Sequence, residues 1–262
     1  ADCCEGKELS PLAVQYKDYS EWQRDIEQQS RLKKQEAYWL NTFRGDIPVL
    51  NLPLDFPRPK IRSFQGNRTV VELDQDTTKK LKTIAAKNGV TMYMLLLAGY
   101  TILLSKYTGQ EDIIVGSPIA GRPHADLNGT IGMFVGTLAL RNRPKGNMTF
   151  SEYVQTVKNN TLNAYENQDY QFDALIEHLG LTQDMSRNPL FDTMFDLQHA
   201  DDFASEAGGG HFETYDIPFH VAKFDVSLTA FLHGDNLTFD FQYCTDLYKN
   251  CLLYTSDAAD DS

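Results

Sequence analysis

Apolar positions along the chain change period several times, and each change predicts a structural element. From Tyr16 to Leu40 the aromatics Tyr16, Tyr19, Trp22, Tyr38 and Trp39 punctuate a polar stretch, which predicts two short helices. Pro53, Pro57 and Pro59 then stop helix and sheet alike, so the segment from Asn51 to Lys60 is expected as an extended connector and the main boundary of the chain. Thr69 to Leu73 reads as a strand. Leu81, Ile84 and Ala85 mark one face of a helix stopped by Gly89, and Thr91 can cap the next. That next helix, Met92 to Leu104, is apolar on every face but shorter than the ~20 residues of a membrane span. A buried core helix is expected.

Asp112 to Ser117 predicts a short strand covered on both faces, and Met133 to Leu140 predicts another. Helical spacing returns at Phe150, Tyr153, Val154 and Val157, and at Phe172, Leu175, Ile176 and Leu179 before Gly180. Pro189 introduces an apolar run from Leu190 to Leu197, and Ala204 to Gly210 reads as a flexible loop. Near the end, Phe224, Val226 and Leu228 alternate with polar neighbours, as do Leu237, Phe239, Phe241 and Tyr243. Gly234-Asp235-Asn236 between them predicts a β-hairpin. Helices and strands alternate without internal repeats, so a layered α/β fold follows.

Composition adds exclusions. With 262 residues, 42% hydrophobic and 23% charged, the chain has the make-up of an ordinary globular protein. A net charge of -12 argues against a nucleic-acid backbone as partner. Cys3, Cys4, Cys244 and Cys251 show no Cys-x-x-Cys spacing, and free thiols in a reducing cytosol are expected. The first residues show no signal peptide and no initiator Met, which suggests an internal start. There is no Gly-x-Ser-x-Gly elbow, phosphate loop or His-Glu-x-x-His. The six histidines, at 124, 178, 199, 211, 220 and 233, are scattered singly, and none has Asp four positions on. Each is expected in a structural or solvated role, His178 beside the apolar face of its helix and His220 near a strand end. Local chemistry reaches a globular α/β protein and stops there.

Four spaced stretches go further. Tyr16-Lys17-Asp18-Tyr19-Ser20-Glu21-Trp22 resembles Y-x-D-[YF]-A-x-W. The run from Ile131 to Arg141 (IGMFVGTLALR) resembles I-G-x-F-V-N-T-L-x-x-R. Asn167 to Asp173 (NQDYQFD) resembles [HN]-Q-D-x-P-F-E, and Asp184 to Leu190 (DMSRNPL) resembles the core of R-D-x-S-R-N-P-L. Between them lie the softer matches from Gly116 to His124 and from Ala222 to Leu228. These are motifs of condensation domains of nonribosomal peptide synthetases, in that family's order, and the resemblance spans roughly Leu12 to Tyr248. Gly136 replaces the usual Asn, Gln171 the usual Pro, Asp173 the usual Glu and Gln183 the leading Arg. Individual polar contacts are put in doubt by these departures.

The resemblance implies a chloramphenicol acetyltransferase-like fold of two α/β lobes around a tunnel, present here incompletely. Residues 1–60 are expected to be the end of the first lobe plus the connector, 61–250 the second lobe, and 251–262 a non-native tail. The implied reaction joins carrier-bound aminoacyl or peptidyl thioesters by an amide bond. No cofactor is bound directly, because the phosphopantetheine belongs to partner carrier domains. Carrier and adenylation domains are the expected partners, without nucleic acid or membrane, in the cytoplasm. The family's His-His-x-x-x-Asp-Gly motif would lie upstream of this chain, leaving no catalytic residue and no metal site here. Rival readings are an epimerization or heterocyclization domain, or a non-catalytic lobe that docks neighbours.

The motif residues carried over as substrate-tunnel or scaffold positions are Tyr16, Asp18, Trp22, Gly132, Phe134, Thr137, Arg141, Gln168, Asp169, Arg187 and Asn188. Asp18 and Trp22 share a helical face; a channel wall is one reading, and a buried Trp with a hydrogen-bonded Asp the other. Arg141 could pair with a carboxylate or end its strand in solvent. Gln168 and Asp169 could close a turn or face the tunnel. Arg187 and Asn188 are expected to hold a carboxylate and turn backbone before Pro189. Gly132 and Gly136 are expected to let backbones approach closely within a strand. With part of the first lobe missing, the Tyr16–Trp39 aromatics are expected to lack packing partners and leave an exposed apolar patch.

Overall fold

A computed structural model describes residues 12–181, 184–199 and 220–249 of the chain. The loop expected at 204–210, His211, Gln183, the tail at 251–262, Cys3, Cys4 and Cys251 lie outside the described residues. Among the described residues six strands form one mixed sheet: β1 (Gly66–Leu73), β2 (Ile113–Ile119), β3 (Gly136–Asn142), β4 (Thr193–His199), β5 (Val226–His233) and β6 (Asn236–Cys244). Their spatial order is β1-β6-β5-β4-β2-β3. The central pairs β2–β4 and β4–β5 are parallel, and the outer pairs are antiparallel. The hairpin arrives as expected, with His233 opposite Asn236 across Gly234-Asp235.

The described residues also form six α-helices: α1 (Tyr16–Trp22), α2 (Ile26–Thr42), α3 (Gln75–Asn88), α4 (Met92–Thr108), α5 (Phe150–Glu166) and α6 (Phe172–Leu179). The predicted signals terminate them. Thr91 Oγ1 accepts the Met94 N–H at 3.2 Å at the head of α4, and Gly89 ends α3 with φ +61°. Helix α4 is the buried core helix its composition predicts, with Leu97 and Ala98 fully covered. Among the described residues no single helix is long and apolar enough to cross a membrane. The β2 segment Ile113–Ser117 is buried throughout, as a strand covered on both faces requires.

Three expectations are corrected. Helix α2 is 17 residues long, although its apolar pattern is weak. Its anchors are a few buried side chains, Trp39 at 2% exposure and Gln35 at 3%, followed by Phe43 just past its end. Trp39 therefore does not lack packing partners: it sits in the main core with Leu95, Val115 and Phe195. Met133 to Val135 are not strand, because β2 ends at Ile119 opposite Gly136 and leaves them no ladder partner. Within the apolar run from Leu190, strand β4 begins at Thr193, after Leu190 takes φ +74°.

Candidate functional site

A groove of about 400 Å³ opens between α1, the long β2–β3 connection and the turn joining α5 to α6. Three of the four sequence motifs meet there, through Tyr16, Phe134, Thr137, Gln168 and Asp169.

The aromatic wall is assembled from α1. Asp18 Oδ2 accepts the Gln15 N–H at 2.9 Å, so its carboxylate is committed to a capping box at the head of its own helix. Trp22 is not buried: it is 41% exposed and stacks on Tyr19 with centroids 5.8 Å apart. The functional contacts come from the other positions of the motif. Tyr16 and Tyr19 hold the Phe134 ring at centroid distances of 5.1 and 5.0 Å. The Tyr16 hydroxyl donates to the Met133 carbonyl at 3.0 Å. A Cβ on Gly132 would stand 2.2 Å from the Tyr16 ring, so the close approach there is to a side chain in a bend, not to backbone within a strand. Gly136 does open a strand, and its Cβ would meet the Ile119 side chain at 3.2 Å.

Arg122 secures the same loop. Its guanidinium lies 4.1 Å from the Phe134 ring centroid and donates through Nη1 to the carbonyls of Leu127 and Thr130, the latter at 2.9 Å. Thr130 Oγ1 donates to the Val14 carbonyl at 2.8 Å, which ties the loop to the segment before α1.

The opposite wall is the turn after α5. Asp169 pairs with Arg31 at 2.7 Å and accepts from Gln35 at 3.1 Å, so the motif turn is held from α2 while Asp169 also lines the groove. Gln168 bonds back to the Tyr165 carbonyl through its backbone N–H at 3.4 Å and is among the residues lining the groove. The Tyr19 hydroxyl has its pKa raised, first by burial and then by the facing charge of Asp169, so it stays protonated. Among the lining residues are tyrosines, phenylalanines and two carboxylates, Asp169 and Asp173, with no histidine, cysteine or lysine.

Arg187 and Asn188 are not in the groove. They belong to an ionic cluster where the chain enters β4. Arg187 pairs with Asp192 and donates to the Leu50 carbonyl at 3.2 Å. Asn188 bridges its own N–H to Asp192 at 3.2 Å and its amide to the Lys223 carbonyl at 3.1 Å, and it accepts from Arg62. Arg58 adds a bidentate pair with Asp225. Burial, then the nearby Asp225 charge, push the Asp192 carboxyl above its ordinary range despite Arg187. The arrangement matches the expected role of holding a carboxylate and the turn backbone.

Arg141 also lies outside the groove and does not end its strand in solvent. Its side chain is 5% exposed, forked onto Asp112 at 2.8 and 2.9 Å. It donates as well to the carbonyls of Thr42 and Asp46 at 3.1 and 2.7 Å. His178 meets Tyr170 at 2.6 Å and Glu36 at 3.3 Å between α6 and α2, a structural placement.

Motif reading missed Gln35, Trp39 and Arg122 as supports. Gln35 and Trp39 are one helical turn apart, which is a legible signal, but nothing local says what they face. Arg122 stands inside the softer match from Gly116 to His124.

A family model described as "Condensation domain" matches residues 1–253. The chain is 98% identical over 249 residues to bacitracin synthase 2 of Bacillus licheniformis, covering 95% of this chain and 10% of that protein. It is 57% identical to bacitracin synthase 3 of the same organism, over 93% of the chain and 4% of that protein. Gramicidin S synthase 2 of Aneurinibacillus migulanus is 51% identical, over 95% of the chain and 6% of that protein. The chain thus spans a tenth or less of the length of these relatives. Among solved structures, the X-domain from teicoplanin biosynthesis superposes with a TM-score of 0.81 at 23% identity, covering 94% of this chain and 58% of that one. The first condensation domain of the calcium-dependent antibiotic synthetase superposes at 0.70 and 18% identity, covering 98% and 56%. The fold is that of these domains, a chloramphenicol acetyltransferase-like layered α/β architecture.

Proposed function

The chain belongs to the condensation-domain family of nonribosomal peptide synthetases, and from that premise we propose that it supplies the supporting walls of an amide-forming site. In this reading the amine of a downstream aminoacyl thioester attacks the carbonyl of an upstream aminoacyl or peptidyl thioester. A C–N bond forms, the C–S bond breaks, the carrier's phosphopantetheine thiol leaves, and the amine gives up a proton. The arms belong to the partner carrier domains. This chain's residues contribute position: the aromatic side chains of Tyr16, Tyr19 and Phe134 form one wall, and the Gln168–Asp169 turn faces it across the groove. Holding two tethered reactants in line makes their encounter effectively unimolecular.

The observation that carries the reading is the convergence of three spaced motifs on one groove. The proton-transferring histidine motif is not among this chain's residues, since no His here has Asp four positions on. The chain alone is therefore inactive in this reading. Residues 1–60 belong to the end of one lobe with its connector, 61–250 to the other, and 251–262 to a non-native tail. The full synthetase works in the cytoplasm beside carrier and adenylation domains, without nucleic acid or membrane. The test supplies two loaded carriers to the full-length synthetase and, separately, to this chain. Peptidyl carrier is expected only with the full-length protein. Turnover by the chain above a no-protein control refutes the supporting role, and an epimerised or cyclised product from the synthetase refutes the reaction.

A further inference from the structure

One face of α2 meets the groove's acidic wall with three successive side chains. Arg31, Gln35 and Trp39 recur every fourth residue and so stack along a single stripe. Together they hold the turn after α5, Arg31 and Gln35 at the Asp169 carboxylate and Trp39 at the backbone. Arg31 forms an ion pair with Asp169 at 2.7 Å, and Trp39 Nε1 donates to the Asn167 carbonyl at 2.8 Å. Gln35, between them, uses both ends of its amide. Its Nε2 donates to Asp169 Oδ2 at 3.1 Å and lies 3.5 Å from the Glu166 carbonyl, and its Oε1 accepts the Tyr170 N–H at 3.0 Å. At 3% exposure Gln35 is shielded from solvent and does not line the groove.

A buried glutamine is costly unless its amide is satisfied, and an apolar residue of equal size would pack at least as well in a core. Here donor and acceptor are matched to the side-chain oxygen of one residue and the backbone N–H of the next, in a turn whose residues form the groove wall. We infer that Gln35 is a positioning residue: it fixes the Asp169 carboxylate and the 167–170 backbone so that this wall keeps its geometry toward the bound aminoacyl substrate. The inference rests on the amide-forming reading for its catalytic consequence, though not for its structural one.

The test is a hydrogen-bond inversion in the full-length synthetase, read with two aminoacyl-loaded carriers. Gln35→Glu keeps an acceptor for the Tyr170 N–H but sets a carboxylate against Asp169. A drop in kcat/KM of about tenfold or more is expected, the loss of one buried charge-assisted hydrogen bond. Asp169→Asn restores a donor opposite the introduced carboxylate, so Gln35→Glu/Asp169→Asn should perform at least as well as Asp169→Asn alone. Losses that simply multiply overturn the coupling. Gln35→Met removes the amide without adding charge and is read where Gln35→Glu does not accumulate as folded protein; unchanged kcat/KM in it overturns the inference. Hydrogen exchange gives a readout independent of turnover: the Tyr170 amide should exchange at least about tenfold faster in Gln35→Met, while α4 amides are unchanged. If the unmodified synthetase joins no substrates, the amide-forming reading fails; if it does and Tyr170 exchange is unaltered, the positioning role fails.

Discussion

Replacing Arg141 by methionine keeps the aliphatic stem and deletes a guanidinium that joins the sheet to the end of α2. Three partners lose their donor: the Asp112 carboxylate and the carbonyls of Thr42 and Asp46. Removing one member of a buried ion pair costs roughly 3–5 kcal/mol, because the other charge stays in place. Asp112 keeps 30% of its side-chain surface and a second partner in Arg143 Nε at 3.2 Å, so the lower end of that range applies. The carbonyls add little where water can replace the donor, as at exposed Asp46. A loss of ~3 kcal/mol follows, equivalent to a melting temperature lower by ~6–12 °C for a domain of this size.

The assay is urea unfolding followed by far-UV circular dichroism, with the slope checked for constancy between variants. Arg141→Met/Asp112→Asn, which removes the stranded charge, should recover ~1–2 kcal/mol of the loss. Acid supplies a second check. Burial pushes the Asp112 carboxyl up, but Arg141 and Arg143 outweigh it and hold its pKa below the ordinary value. A depressed carboxylate stabilises above its unfolded pKa, and that contribution is lost as pH falls through the folded one. The gap between native protein and Arg141→Met should therefore be full near neutrality and narrow below the usual carboxylate range. A gap under ~1 kcal/mol at neutral pH, or one that is independent of pH in acid, refutes the reasoning.

Other consequences follow from backbone geometry and burial. Gly121 and Gly109 both have left-handed φ, +63° and +71°, but a Cβ on Gly121 would lie 1.7 Å from the Phe134 carbonyl oxygen while one on Gly109 meets nothing within 4 Å. Gly109→Ala should cost ~1 kcal/mol from conformation alone, whereas Gly121→Ala should cost clearly more and also loosen the Phe134 loop, read by equilibrium unfolding; equal losses would contradict the contact. In alkali, burial pushes the Tyr153 hydroxyl up to about 12, so the unfolded form ionises first and stability should fall as pH rises beyond ~10. Tyr153→Phe should flatten part of that fall in denaturant titrations at successive pH values, and an identical slope in both proteins would count against it.

Much of the secondary structure could be read locally because its signals are local. A threonine before an apolar run and a glycine after one act through backbone groups a few residues away, and Thr91 and Gly89 do so here. The Gly234-Asp235 hairpin is equally self-contained. The failures have one physical cause. Met133 to Val135 look like strand by composition, yet a strand exists only where a neighbour supplies its ladder, and β2 ends at Ile119. Trp22 and Trp39 look alike as aromatics on polar helices; one is 41% exposed and the other 2%, because only Trp39 lies beside the sheet core.

For the groove, motif order was enough to nominate its residues and family, since spaced identities survive without coordinates. Their division of labour was not legible. Asp18 turns back along the surface to cap its helix, Asp169 faces both α2 and the groove, and Arg187 is spent on Asp192 away from it. Gln35 carries no motif at all, and meets Asp169 across 134 positions of chain. A hydrogen bond over that separation is written in the packing of α2 against the α5–α6 turn, and only folding brings its two ends together.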